Sequence, residues 1–230
     1  MEPVQLSGEE FAGILHSGEA YERVADSGSG VVLVDGDRAP DMLDASSMQR
    51  LQTLPAVVVG AVADPERQRP AWADVVLGAD LRPLESIAST VQAVPLAATT
   101  LAVLLRNGED RSIPEGLVAE STAYGLLQGG PEFAAWRRHQ PPRPRRRTPA
   151  PGPVVLVSRH EHELSITLNR PHVLNAFDAA MRDELLAALR VAALDPSITS
   201  VVLGGTGESF CSGGDLDEFG SRPDPVPFPP

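Results

Sequence analysis

Lysine is absent from this 230-residue chain, and cysteine and aromatic residues are scarce. All 19 basic residues are arginine, and 31 acidic residues give a net charge of -12, which argues against general nucleic-acid binding. The single cysteine, Cys211, excludes an intramolecular disulfide and a cysteine-based metal cluster, so we expect no bound metal. Because aromatics are only 4% of the residues, the core has to be built from alanine, valine and leucine.

Long apolar runs are also missing. No segment is long enough to span a bilayer, and the acidic amino-terminal stretch MEPVQLSGEEF lacks the apolar run of a signal peptide. We therefore expect no membrane partner and, by default, a cytoplasmic location. The length allows either one large domain or two small ones.

Residues 1–138 have the pattern of a small α/β module with a helical end. Residues 1–30 are polar with a weak helical pattern, in which Ser7 and Glu10 have the spacing of a capping box. Apolar runs at 31–34, 56–62 and 74–77 alternate with short helical segments, which favours a parallel sheet. From residue 83 onwards, apolar residues recur at helical spacing, and we expect successive helices broken at prolines and at 129–131.

Proline-rich segments divide the chain. Residues 139–153, HQPPRPRRRTPAPGP, predict an extended linker, and residues 221–230 predict a disordered tail. The linker region is rich in arginine and could form a patch for nucleic acid or another anionic surface. In an acidic chain we favour a solvated linker; its arginines are Arg138, Arg143, Arg145, Arg146 and Arg147.

Residues 154–220 have a different pattern. Two runs, 154–157 and 164–168, predict a β-hairpin, and 198–203 predict a buried strand. Between them, Asp178 is a plausible N-cap of a helix over 179–193. Its expected apolar face carries Met181, Leu185, Leu186, Leu189 and Ala192. A glycine-rich loop in ESFCSGGDLDEF, residues 208–219, then leads into the expected start of a helix at Asp215, where backbone N–H groups can hold an oxyanion.

These features occur in an order that resembles a known family. The hairpin ending in LNRP, the pair Asn175-Ala176, Asp195-Pro196, VVLGGTG and SFCSGGDL resemble the opening of an enoyl-CoA hydratase/isomerase (crotonase) superfamily domain. The resemblance covers residues 155–220. It implies an α/β fold of ββα units, an acyl-CoA thioester as the substrate without a further cofactor, and a homotrimer or hexamer.

The resemblance also implies site residues. Family members hold an enolate-like thioester oxygen between two backbone N–H groups, and the position of one donor matches Ser212. Acyl-CoA contacts are implied for the glycine-rich loop, and residues 172–174 are expected near the pantetheine or nucleotide. The implied contacts are Ser212, Gly213, Gly214, Asp215, Val173 and Leu174.

Each of these residues also has a plainer interpretation. The glycines could simply form a turn, and Asp215 could cap a helix. Cys211 is expected to be a small buried residue rather than a nucleophile, because no histidine partner is evident. The turn histidines, His160 and His162, are expected to be solvated, and Asp217 and Glu218 to lie on a solvated helix face.

The family's second oxyanion donor and its acid–base glutamates have no counterpart after Gly220. The first loop is shared by hydratases, isomerases, thioester hydrolases, decarboxylases and cofactor-free oxygenases, so it does not choose the reaction. The alternative to an enzyme is a catalytically incomplete binding or interaction protein, or a truncated remnant.

The first module carries a second resemblance. Residues 120–138, ESTAYGLLQGGPEFAAWRR, are similar to a late helical segment of bacterial enoyl-CoA hydratase-like proteins, which implies a degenerate crotonase-like module. Glu115, Glu120 and Glu132 are then acid–base candidates. Because they lie on helices at the end of a module, we favour a solvated or capping role for them.

Overall fold

The computed structural model describes residues 2–39, 43–139 and 152–218, which form two compact units. The described part of the first unit is 2–39 with 43–139, and that of the second is 152–218. Most of the predicted linker, including Arg143–Arg147, and the whole predicted tail lie outside the described residues.

In the first unit the elements are β1 Val4–Ser7, α1 Gly8–Ser17, α2 Ala20–Ser27, β2 Val31–Asp35, α3 Ala45–Thr53, β3 Val57–Ala61, β4 Val75–Leu77, α4 Arg82–Ala93, α5 Pro95–Arg106, α6 Ile113–Gln128 and α7 Pro131–His139.

The first unit is built on a parallel sheet with the order β1-β2-β3-β4, as the alternating pattern predicts. Strands β2 and β3 are buried on both faces, which explains their continuous valine-rich runs. Strand β1 is not predicted by the sequence, where residues 1–30 have only a helical pattern. It has four residues and a single buried apolar side chain, Leu6, so its place depends on pairing with β2.

Helices cover both faces of this sheet. One face packs against α1, α2 and α3 through residues such as Phe11, Leu15 and Leu51. The opposite face packs against α4 and α5 through Ala88, Val91 and Ala102. Apart from Phe11 and Trp72, the residues of these two cores are aliphatic, as the composition requires.

Polar side chains cap two helices of this unit at their amino-terminal ends. Ser7 and Glu10 form the predicted capping box: the Ser7 N–H donates to Glu10 Oε2 at 2.8 Å, and the Glu10 N–H donates to Ser7 Oγ at 3.2 Å. Asp44 caps α3 by accepting from the Ser47 N–H at 2.9 Å. Each cap satisfies an N–H that a helix cannot satisfy within itself.

A buried ion pair joins the end of α5 to the start of β4. Arg106 Nε donates to Asp74 Oδ1 at 2.7 Å, and the guanidinium also donates to the carbonyls of Leu51 and Leu54. Asp74 Oδ2 accepts the Val58 N–H at 2.7 Å. Both charged groups are therefore satisfied while only 9% and 15% of their side chains are exposed.

The apolar helices of this unit bear on membrane insertion. Within the described residues no single helix has the length and apolar composition of a membrane span. Helices α4 and α5 pass that criterion only as a pair, and they are bent by 108° at the break between them.

The second unit has a ββαβ order: β5 Val155–His160, β6 Glu163–Leu168, α8 Ala179–Leu194 and β7 Ser200–Gly205. Strands β5 and β6 form the predicted hairpin, which is longer than expected because pairing continues to His160 and Glu163. Glu161 in the turn has a positive φ of 49°. Strand β7 runs parallel to β6, and Asp178 caps α8 as predicted by accepting the Met181 N–H at 2.9 Å.

The core of this unit is narrower than the sequence predicts. Met181 and Ala188 of α8 pack on β5 and β6, whereas Leu186 and Leu189 are 46% and 41% exposed. The expectation that 198–203 form a buried strand is wrong, because 200–203 are exposed. The reason is that β7 is the edge strand of the sheet and the core lies over β5 and β6.

Candidate functional site

Two loops meet at one edge of the second unit's sheet. The first loop, residues 169–177, follows β6, and the second loop, residues 206–215, follows β7. Because β6 and β7 are parallel neighbours, their carboxyl ends lie at the same edge, and both loops start there. This topology brings together the two segments that the sequence predicts to contact one ligand.

Asn175 holds the two loops together. It is fully buried, and its Nδ2 donates to the carbonyls of Thr206 and Ser209 at 2.9 and 2.8 Å. Its Oδ1 accepts the Arg170 N–H at 2.8 Å. Thus all the polar atoms of a buried amide are used to fix the loops, as a buried polar group requires. The sequence marks Asn175 only as part of a family motif and gives it no role.

Leu174 brings the first loop against Ser212. Leu174 and Asn175 both have φ of 54°, a left-handed conformation that is uncommon for residues other than glycine. In this conformation the Leu174 carbonyl accepts the Ser212 N–H at 3.0 Å. Ser212 Oγ lies 3.5 Å from the Val173 carbonyl oxygen. The predicted oxyanion donor, the Ser212 N–H, is therefore occupied within the protein.

The N–H of Gly214, unlike that of Ser212, has no partner among the described residues. The Phe177 N–H donates to the Gly213 carbonyl and the Asp215 N–H donates to the Phe177 carbonyl, both at 2.8 Å, so Phe177 and Gly214 form a parallel bridge. Such a bridge uses the amide groups on either side of Gly214 and leaves its own N–H on the other side of the chain. Gly214 is exposed, and its N–H donates to no residue in the described part of the chain.

Gly213 supplies the turn that this arrangement needs. Its φ is +94°, where a residue with a side chain is strained. Its N–H lies 3.4 Å from Cys211 Sγ. Cys211 is half-buried and packs at the border of the core of this unit, in keeping with a structural role.

Asp215 is a structural anion. Its side chain is 5% exposed and pairs with Arg170, whose Nη2 lies 3.0 Å from Asp215 Oδ2. Arg170 also pairs with Asp178 at 2.9 Å and donates to the Ala176 carbonyl. The predicted contact of Asp215 with an acyl-CoA could thus come only from its backbone. The predicted helix is not seen within the described residues, where 216–218 form a turn and Asp215 Oδ1 accepts the Asp217 N–H.

Other candidate residues have structural partners or lie in solvent. Glu218 is exposed, as predicted, but it also accepts the Ala179 N–H at 2.9 Å, at the start of α8. Asp217 is exposed. Of the turn histidines, His160 is exposed, and exposed His162 donates through Nδ1 to the Ser197 carbonyl at 2.9 Å. The structure describes no group of three side chains that could hold a metal ion.

The acid–base candidates of the first unit have capping or solvated positions. Glu115 forms a capping box with Ser112, and its pKa is lowered by the hydrogen bond from the Ser112 hydroxyl. Glu132 accepts from the N–H groups of Leu96 and Ala97 at 2.7 and 3.0 Å, at the start of α5. Glu120 is exposed on α6. The preference for capping or solvated roles is therefore confirmed for these three residues.

The loops are bordered by apolar side chains. Leu174, Phe210 and Leu216 are 54%, 53% and 43% exposed, although each is large and apolar. Leu174 and Phe210 belong to the two loops and Leu216 follows the second, so apolar side chains flank the backbone of this region. The fold and the site thus define a ββαβ unit in which two adjacent loops are flanked by exposed apolar side chains. One of these loops carries Gly214, an exposed residue whose backbone N–H donates to no described residue.

Comparison with known proteins places the unit in a family. Residues 160–225 match the family model described as enoyl-CoA hydratase/isomerase. The probable enoyl-CoA hydratase EchA14 of Mycobacterium tuberculosis is 40% identical over 67 residues, which cover 29% of this chain and 26% of that protein. A probable 3-hydroxyisobutyryl-CoA hydrolase of Arabidopsis thaliana is 44% identical over 62 residues, covering 27% of this chain and 16% of that protein.

A solved structure shares the same partial match. The carnitinyl-CoA dehydratase of Mycobacterium avium is 39% identical, covers 32% of this chain and 29% of that chain, and has a TM-score of 0.30. Residues 160–225 are thus similar to the enoyl-CoA hydratase/isomerase family. The chain spans about a quarter of the length of EchA14, at 26%. Since the model match begins at residue 160, the family resemblance of residues 120–138 stays a prediction.

Proposed function

We propose that the two loops of the second unit bind an acyl-CoA thioester and that the Gly214 N–H donates to its carbonyl oxygen. One observation carries this assignment: the Ser212 N–H is taken by Leu174, whereas Gly214 is an exposed residue whose N–H donates to no described residue. The family match of the same segment supports a thioester as the ligand. The donor role expected for Ser212 thus passes to a residue two positions further on.

A fixed N–H at this position can stabilise developing negative charge. When a proton leaves the carbon next to a thioester carbonyl, charge builds up on the carbonyl oxygen, and a preorganised donor lowers the barrier. The bridge through Phe177 and the bond from Ser212 to Leu174 hold the backbone around Gly214 in place. The exposed side chains of Leu174, Phe210 and Leu216 offer apolar contacts to the acyl chain or pantetheine.

Several reactions of the family are compatible with this site. Hydration, isomerisation and thioester hydrolysis all begin with polarisation of the thioester carbonyl, and the similar proteins include hydratases and a hydrolase by name. The proton-transfer residues and the second oxyanion donor are unassigned. The cytoplasmic location expected from the sequence also stays a prediction.

Calorimetry with matched ligands tests this proposal without altering the protein. Butyryl-CoA has the thioester carbonyl, S-butyl-CoA has the same chain with a methylene in its place, and free CoA lacks the acyl group. A hydrogen bond to the carbonyl should make the thioester bind roughly five-fold tighter than the thioether, since one such bond contributes about 1 kcal/mol. Equal affinity for the two would contradict a carbonyl donor, and no binding of any of them would overturn the proposed function.

A second candidate function is that of an interaction module. Its support is the exposed edge strand β7, in which Val201, Val202 and Leu203 are 42%, 49% and 45% exposed, together with Leu194 of α8 at 83%. An exposed apolar edge strand favours pairing with another chain. Sedimentation velocity over a range of concentrations should therefore detect self-association, in line with the homotrimer or hexamer expected from the family. A monodisperse monomer at every concentration would count against this candidate.

A further inference from the structure

A cavity of about 230 Å³ lies in the first unit, at the carboxyl ends of β2 and β3. Gly36, the residue after β2, and Val62, the residue after β3, line it. In open α/β sheets, ligands bind outside the carboxyl ends of the strands. The family match lies outside this unit, and the proposed function makes no use of this cavity.

The charge of the lining differs from that of the chain. Arg67 and Arg69 line the cavity, and none of the described lining residues is an aspartate or glutamate, although the chain has a net charge of -12. Each arginine has only a loose acidic neighbour: Arg67 Nε lies 3.6 Å from Asp64, and Arg69 Nη2 lies 3.9 Å from Glu66. The side chains are 87% and 72% exposed, so these pairs contribute little. Arg69 Nε also donates to the Pro65 carbonyl at 3.3 Å, which leaves the two terminal nitrogens of its guanidinium for a ligand.

Trp72 supplies a third donor. The residue is only 2% exposed, yet its indole N–H donates to no residue in the described part of the chain. Indole N–H groups of buried tryptophans usually have a partner. No buried side-chain nitrogen or oxygen of the described residues lacks one, so the Trp72 N–H has to reach accessible space. The cavity is the space that Trp72 lines.

The position of the indole ring agrees with this assignment. A Cβ at Gly60 of β3 would lie 3.2 Å from Cη2 and 3.3 Å from Cζ3 of Trp72. The benzene side of the ring therefore packs closely against the sheet where glycine leaves room.

We propose that this cavity binds a small oxyanion, a carboxylate or a phosphate group, between Arg67, Arg69 and the Trp72 N–H. Guanidinium groups recognise carboxylates and phosphates through paired N–H donors. The volume is below the usual range of roughly 300–1,000 Å³ for drug-sized ligands, so the ligand is small. Ala39 and Pro70, also in the lining, limit how much of its remainder can be polar.

Tryptophan fluorescence tests the site directly. The chain has two tryptophans, Trp72 and Trp136, so a Trp136→Phe variant reports on Trp72 alone. Sodium phosphate and sodium propionate are titrated at constant ionic strength against sodium chloride. A saturable change with phosphate identifies a phosphate ligand, and one with propionate a carboxylate; either supports the proposal. No saturable change with either anion, or an equal change with chloride, would overturn it.

Substitutions distinguish anion binding at the cavity from nonspecific attraction of anions to surface arginines. Changing both Arg67 and Arg69 to Gln in the Trp136→Phe background should raise the dissociation constant of the anion at least ten-fold, because both guanidinium donors are lost. Arg82→Gln is the matched control, since Arg82 is 90% exposed and pairs with Asp80 away from the cavity. Unchanged binding in a double variant that keeps its far-ultraviolet circular dichroism would contradict the assignment, as would an equal loss in Arg82→Gln.

Discussion

The amide N–H of Ser212 donates to the carbonyl oxygen of Leu174 at 3.0 Å. This bond ties the loop after β7 to the loop after β6 and removes Ser212 from the available backbone donors. Two residues later, the bridge between Phe177 and Gly214 leaves the Gly214 N–H exposed. Successive N–H groups of this extended segment point to opposite sides of the chain, and this decides which of them can donate to a ligand.

Replacement of Asn175 by Ala should destabilise the second unit by about 3 kcal/mol or more. The change leaves three half-buried backbone groups without their partner, at roughly 1 kcal/mol for each, the lower end for an unsatisfied group. Asn169→Ala is the comparison: its Nδ2 makes one exposed bond to the Pro153 carbonyl, and its Oδ1 accepts a longer bond of 3.3 Å from the Thr206 hydroxyl. Because the hydroxyl of Thr206 also donates to the Leu168 carbonyl, this change should cost only about 1 kcal/mol.

Both tryptophans and both tyrosines lie in the first unit, so the stability of the second unit is best followed by amide hydrogen exchange of β5 and β6. Equal exchange rates in the Asn175→Ala and Asn169→Ala proteins would contradict the role of Asn175 as the link between the loops.

Replacement of Arg170 by Met should cost about 3–5 kcal/mol, because it removes the guanidinium that pairs with the largely buried carboxylates of Asp215 and Asp178. Arg159→Met provides the comparison. Arg159 pairs with Asp195 at 2.8 Å, but the two side chains are 42% and 35% exposed, and such pairs contribute at most about 1 kcal/mol. Exchange protection in β6 reports both values. A loss in Arg159→Met as large as in Arg170→Met would show that burial of the pair does not matter.

Asp44 should make the first unit less stable in acid. Hydrogen bonds from the Ser46 hydroxyl, and then from the Ser47 N–H, lower the pKa of Asp44 in the folded state. A lowered folded pKa stabilises the fold above the ordinary carboxyl pKa of about 3.9, and this contribution is lost as the pH falls below it.

Urea unfolding followed by tryptophan fluorescence checks this. The advantage of the natural protein over Asp44→Asn should shrink between about pH 5 and about pH 2.5. A constant difference over that range would mean that ionisation of Asp44 does not contribute.

Local patterns predict much of this fold. The Ser7–Glu10 capping box, the Asp178 cap, the valine-rich strands and the proline-started helices depend on neighbouring residues and are confirmed. Strand β1 and the exposure of β7 depend on which elements pair, and their own residues do not reveal this. For the same reason, Leu186 and Leu189 have core-like spacing on α8 but no core above them.

The candidate site is predictable to the same extent. The glycine-rich loop and residues 172–174 are found from the sequence, and the structure brings the two segments together. Arg170 and Asn175, which hold the loops, make their contacts over 31 to 45 positions, so no local pattern reveals them. The choice between the N–H groups of Ser212 and Gly214 needs the bridge to Phe177, which exists only in the folded chain.

The most direct test of the account is the amide signal of Gly214 in protein labelled with ¹⁵N-glycine and ¹⁵N-serine. Without ligand, the Ser212 N–H should exchange slowly and the Gly214 N–H rapidly, because only the former donates to a carbonyl among the described residues. On addition of butyryl-CoA, the Gly214 proton should move downfield and become protected, and S-butyl-CoA should leave it unshifted. A shift at Ser212 with Gly214 unchanged would contradict the account.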